Sequence, residues 1–227
     1  MRFLQSVFRR FLSLFDLSST QKLRFKGYLS SDFHSMLDKV EKFERVCTSR
    51  PCKSYFDYNK RNIVVQLWCF GKNTGFFCDA DESNQSPILL PEIWWLASSG
   101  DRNVYLFAYA CNSSTYLSTS DIANYLTGCM GFRGELWFWF GSDSARTFWI
   151  EFGRRLQDLF QHSDAIDLAF SVKVHQLYLS YLKENIEKSR RMNKKEGMFL
   201  NLLFLNRHLE NLELIQGGKL WTDTTRP

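Results

Sequence analysis

The chain lacks the patterns that mark a metal or disulfide framework. Its six cysteines, Cys47, Cys52, Cys69, Cys78, Cys111 and Cys129, include no C-x-x-C pair and no pair followed by suitably spaced histidines, which argues against a zinc site. No other motif calls for a cofactor. Proline is scarce, at 4 residues, and no long Gly/Ser run occurs, which argues against extended disorder. No apolar stretch reaches the roughly 18 residues needed to cross a bilayer. The start of the chain does not read as a secretory leader, because Arg9 and Arg10 interrupt its apolar pattern. Reduced thiols in the cytoplasm are therefore the expectation.

What is present is core-forming material. With 44% hydrophobic and 16% aromatic residues, the 227-residue chain can fill a sizeable interior as one large domain. Its net charge of +5 is unevenly placed. Arg2, Arg9 and Arg10 precede any acid, and Arg190, Arg191, Lys194 and Lys195 cluster later. Such clusters are either solvated faces or binding sites for acidic partners, nucleic acid among them.

Phe3, Leu4, Val7, Phe8, Phe11, Leu12 and Phe15 recur at helical spacing. This amphipathic helix, with Phe3, Phe8, Phe11 and Phe15 as its anchors, has three possible beds: its own domain, a partner's groove or a membrane surface. A second helical pattern covers residues 31 to 47, so residues 1–48 read as a helical N-terminal segment and 49–227 as the main domain.

Three apolar runs of strand length follow: Ile63–Phe70, Val104–Cys111 and Glu135–Phe140. Unbroken hydrophobic strands belong to parallel sheets covered on both faces. Short helix candidates, Pro91–Ser98 and Asp121–Leu126, lie between them. The expected fold is thus α/β, a mostly parallel central sheet with helices on both faces. Long helices over residues 144–160 and 164–192 make the C-terminal part helical, and residues 198–221 suit helix and strand equally.

In open α/β sheets, ligands gather beyond the carboxyl ends of strands. The three runs name those ends as Phe70-Gly71, Cys111-Asn112-Ser113 and Ser142-Asp143, and Asp79 and Asp81 follow the Gly75 turn closely enough to line the same cleft. Cys111 is the candidate nucleophile there, with a buried structural thiol as the plain alternative.

The segments Gly71-Lys72-Asn73-Thr74-Gly75 and Val104 to Ser113, with the strand and helix read over 135–156, resemble the caspase-like cysteine peptidases, especially their CHAT branch. The resemblance covers roughly residues 60 to 160. It implies a three-layer fold in which one strand ends in His-Gly and the next in a nucleophilic Ala-Cys. Here Ala110-Cys111 is kept, but Phe70 stands where the family has its histidine. A thiol with a pKa of about 8.5 needs an imidazole or a positive field to ionise at neutral pH, and phenylalanine supplies neither.

Three functions are therefore in view. The first is a degenerate domain that binds or regulates a protein partner in a complex, which the resemblance would place in bacterial stress or antiviral defence. The second is an active cysteine peptidase with an unidentified base. The third is a nucleic-acid-associated factor using the basic clusters, whose binding would fall steeply with salt. If several of Trp68, Trp94, Trp95, Trp137 and Trp139 are exposed, they make a partner surface.

Overall fold

A computed structural model describes residues 20–27, 31–43, 45–47, 55–77, 91–191, 196–217 and 219–221. The amphipathic segment carrying Phe3, Phe8, Phe11 and Phe15 lies outside the described residues, as do Asp79, Asp81, Lys194 and Lys195. Among the described residues, no helix is long and apolar enough to cross a membrane.

The centre is a seven-stranded, mostly parallel sheet. In chain order its strands are β1 (Thr20–Lys26), β2 (Arg45–Cys47), β3 (Asn62–Trp68), β6 (Asn103–Tyr109), β7 (Gly128–Phe132), β8 (Leu212–Gln216) and β9 (Lys219–Trp221), arranged β2-β1-β3-β6-β7-β8-β9. β2 through β7 are parallel in that order, whereas β8 and β9 join antiparallel. A separate antiparallel hairpin, β4 (Phe70–Lys72) and β5 (Gly75–Phe77), follows β3.

Side chains alternate across the pleat and build two cores. Val64, Trp68, Phe107, Tyr109 and Phe132 face helices α1 (Ser31–Asp38), α5 (Asp143–Gln161), α6 (Leu168–Arg191) and α7 (Glu196–Asn211). Ile63, Val65, Leu67, Leu106 and Ala108 face α2 (Pro91–Ser98), α3 (Ser113–Thr119) and α4 (Ile122–Tyr125). The sheet is therefore covered on both faces, which is why its central strands read as unbroken apolar runs. In α5, Phe148, Phe152, Leu156 and Phe160 recur every four residues and are all buried, each stabilising the fold by about 1.5–3 kcal/mol.

Two expectations are corrected. Residues 20–47 are not a separate helical piece: β1 and β2 belong to the sheet, and among the described residues of this stretch only Ser31–Asp38 is helical. β1 was hidden by Lys22, Arg24 and Lys26, which alternate with Leu23 and Phe25. The three cations are buried beneath α1 and α5, where Lys26 pairs with Asp38, Arg24 lies 3.6 Å from Glu41, and Lys22 donates to the Gln161 carbonyl. The second correction concerns Glu135–Phe140, whose side chains alternate inward and outward as in an extended chain but which joins no sheet among the described residues. The parallel strand beside β6 is Gly128–Phe132, whose glycines permit close approach: a β-carbon on Gly131 would lie 2.7 Å from Ser113 Oγ.

The C-terminal stretch that suited helix and strand equally is both in turn, α7 followed by β8 and β9.

Candidate functional site

Beyond the carboxyl ends of β3 and β6, three segments enclose a cavity of about 320 Å³. Phe70, Gly71 and Lys72 come from β4, Cys111 and Asn112 from the end of β6, and Glu135, Leu136 and Trp137 from the extended segment. β3 and β6 are adjacent and in register, Trp68 opposite Tyr109, so Phe70-Gly71 and Cys111 arrive together. Gly71 is required by that approach, because a β-carbon there would lie 2.2 Å from the Cys111 carbonyl oxygen. Asn112 turns the chain out of the strand in the left-handed region, φ 53°, a conformation asparagine tolerates better than most residues. Its N–H donates to the Gly134 carbonyl at 2.7 Å, tying the turn to the start of the extended segment.

Cys111 is half-buried. The backbone N–H of Leu136 donates to its Sγ at 3.2 Å. Burial pushes the thiol above its ordinary pKa; that N–H pulls it back, and nearby Glu135 adds to the rise. The balance is upward, away from an ionised thiolate. None of the chain's four histidines lines the cavity, and Phe70 occupies its wall. His162 at the end of α5 and His175 on α6 direct Nδ1 to the carbonyls of Asp158 and Ser171.

His208 is the residue that sequence reasoning passed over. It is buried between the core and the back of the extended segment, with Nε2 3.0 Å from the Trp137 carbonyl and Nδ1 3.2 Å from the Tyr109 hydroxyl. A carbonyl can only accept, so Nε2 carries the proton and Nδ1 accepts from Tyr109. Tyr178, 3.4 Å away, then donates to the Tyr109 oxygen. Burial lowers the His208 pKa to about 3, so the ring is neutral and both nitrogens are engaged. Its Nε2 ties α7 to the main chain of Trp137. Only its place in α7, where the sequence suits helix and strand equally, could signal this.

The extended segment is held through side chains. Trp139 N–H donates to Asn201 Oδ1 at 3.3 Å, and the same oxygen accepts from Trp149 Nε1 at 2.9 Å. Leu136, Phe138 and Phe140 pack on the core, while Glu135 and Trp137 face outward. Among the described residues, no N–H or C=O of 135–140 pairs with another backbone group. Leu136 N–H, the Trp137 carbonyl and Trp139 N–H are taken by side chains, which leaves the other main-chain groups of the segment without a backbone partner beside the cavity.

The other expected site residues sit elsewhere. Ser113 is buried, its hydroxyl donating to the Ala108 carbonyl at 2.9 Å and accepting from Phe132 N–H at 2.8 Å, so it joins β6 to β7 without lining the cavity. Ser142 and Asp143 do not follow a strand. Ser142 caps α5 by accepting from Ala145 N–H at 3.2 Å, and exposed Asp143 pairs with Arg146 at 3.2 Å. Their placement follows from Glu135–Phe140 being extended chain outside the sheet. Arg190 is exposed on α6, and Arg191 ends that helix. Trp68 is buried, Trp139 is half-buried, and Trp94, Trp95 and Trp137 are exposed.

No protein-family model, no curated protein and no solved structure matches the chain.

Proposed function

We propose that the chain is a degenerate caspase/CHAT-like domain that binds an extended segment of a protein partner at the Cys111 cavity without cutting it. The resemblance would set this inside a cytoplasmic defence complex. The observation carrying the proposal is the pairing of Cys111, whose thiol is raised by burial, with a segment, 135–140, that forms no backbone–backbone hydrogen bond among the described residues. Extended peptides bind such edges through main-chain hydrogen bonds, and pockets between alternate side chains supply specificity. The cavity beside Trp137 would take one such side chain, against Phe70 and Leu136 with Lys72 at the rim.

The active-peptidase reading requires a base, and the wall of the cavity offers no imidazole. Selection of binders from a random peptide display library separates the two readings. Enriched peptides are expected to bind wild type and Cys111→Ala alike, to be recovered uncut, and to lose about tenfold or more in affinity with Trp137→Ala. Peptides cut by wild type and spared by Cys111→Ala contradict the proposal.

A further inference from the structure

The end of the sheet away from Cys111 carries a second surface. β3 and β6 begin in register, Asn62 opposite Asn103, so the residues preceding them, Arg61 and Arg102, stand side by side. The strands span about 20 Å, which separates this surface from the cavity at their carboxyl ends. Tyr58, Lys60, Arg61, Asp101 and Arg102 line a groove of about 490 Å³ there.

Two pairs of aromatic rings lie beside the groove and on the neighbouring α2 and α4. Tyr58 meets Trp95 at 5.8 Å between centroids, and the adjacent Trp94 meets Tyr125 of α4 at 5.6 Å. Their exposures are 38, 42, 44 and 43% respectively for Tyr58, Trp95, Trp94 and Tyr125, so none of the four serves as a core residue. The core work of those helices is done by Ile93, Leu96, Ile122 and Ala123, which point inward. Arg102 sits against Tyr58, its guanidinium 5.6 Å over the ring and donating to the Tyr58 carbonyl at 2.6 Å.

We infer that this face docks an acidic segment of a partner protein, with apolar side chains against the four rings and carboxylates toward Lys60, Arg61 and Arg102. Among the described lining residues, Lys60, Arg61 and Arg102 outnumber the acid Asp101, a positive balance. Among the described residues, Lys60 and Arg61 form no ion pair with any acid. Exposed Trp, Tyr and Arg are the side chains that dominate protein–protein binding energy. Single-stranded nucleic acid would use the same cations but stacks successive bases on ring faces. Here neighbouring rings stand at 86° and 72°, so a base on one ring meets the edge of the next. That geometry suits the irregular apolar side chains of a peptide better than a base ladder.

The test is an array of short blocked peptides that alternate Asp or Glu with Leu, Phe or Trp, each beside its Lys-substituted counterpart. Binders are followed in solution by fluorescence anisotropy, with labelled oligothymidylate as the nucleic-acid probe. Acidic peptides are expected to bind about tenfold or more tightly than their Lys counterparts, and Arg61→Glu or Trp95→Ala to weaken them by a similar factor. Trp137→Ala, at the far end of the sheet, is expected to leave them unchanged, which separates this surface from the one proposed at Cys111. Arg61→Glu alters an exposed side chain, so it remains informative if Trp95→Ala misfolds. The inference is overturned if no acidic peptide binds, if Lys counterparts bind equally, if Arg61→Glu leaves binding unchanged, or if oligothymidylate binds more tightly than the peptides.

Discussion

Gly71 lies directly against the backbone of Cys111, so close that a β-carbon would sit 2.2 Å from the Cys111 carbonyl oxygen and 2.9 Å from the Ala110 β-carbon. The contact joins the hairpin after β3 to the end of β6 and sets the width of the cavity. Backbone at that distance cannot yield as a flexible side chain would. Gly71→Ala is expected to cost about 1–3 kcal/mol through overpacking. Denaturant unfolding of the variant measures this, and an unchanged midpoint would show that the hairpin can shift freely.

His208 makes stability depend on pH in a definite direction. The folded ring is neutral with a pKa lowered to about 3 by burial, whereas the unfolded ring takes up a proton below about 6.5. Its contribution is fully present above pH 6.5 and is lost as pH falls toward 3. Between pH 7.5 and 5.5 the loss attributable to this residue is about 1.4 kcal/mol. Comparing unfolding of wild type and His208→Gln across that interval isolates it: the variant is less stable at pH 7.5, and its stability falls less on acidification.

Asn201 holds the extended segment from behind. Its Oδ1 accepts from both Trp149 Nε1 and Trp139 N–H, and its side chain is buried. Asn201→Ala strands two donors and is expected to cost about 1–3 kcal/mol. Hydrogen exchange should rise selectively over 135–140, because that segment has no backbone partners of its own among the described residues. Uniform acceleration across the sheet would point to global destabilisation instead.

Trp137 behaves in the opposite way. Half of its surface is exposed, so Trp137→Ala should change stability by only about 0.5 kcal/mol or less while reducing peptide binding at the cavity. A matching loss of stability would assign the ring to the fold.

The central architecture was legible because β3 and β6 are buried on both faces and carry almost no polar residue to break their runs. α5 and α6 were legible from apolar periodicity over many turns. β1 was not, since burial of Lys22, Arg24 and Lys26 depends on Asp38, Glu41 and Gln161, which only the folded chain brings near. β7 was not, since a Gly-Cys-Met-Gly-Phe strand has little hydrophobic signature; its glycines answer to close contact with Ser113 and with the Ile166 carbonyl. Reading Glu135–Phe140 as the missing strand then carried Ser142 and Asp143 into the expected site. The meeting of Phe70, Gly71, Cys111 and Asn112 followed from adjacent strand ends, and the cavity joins those four residues. The position of His208 behind Trp137 depends on how α7 packs, and no local pattern encodes that.

The most direct test of the account is the rate of iodoacetamide alkylation at Cys111 against pH in the native protein, read by mass spectrometry of the Cys111 peptide, with Cys111→Ala as control. Burial raises this thiol, and the cavity supplies no imidazole to counter it. Slow labelling at neutral pH and a midpoint above the roughly 8.5 of a free cysteine are expected. Rapid labelling that persists well below pH 7 would reveal an activated thiolate and contradict the degenerate-domain reading.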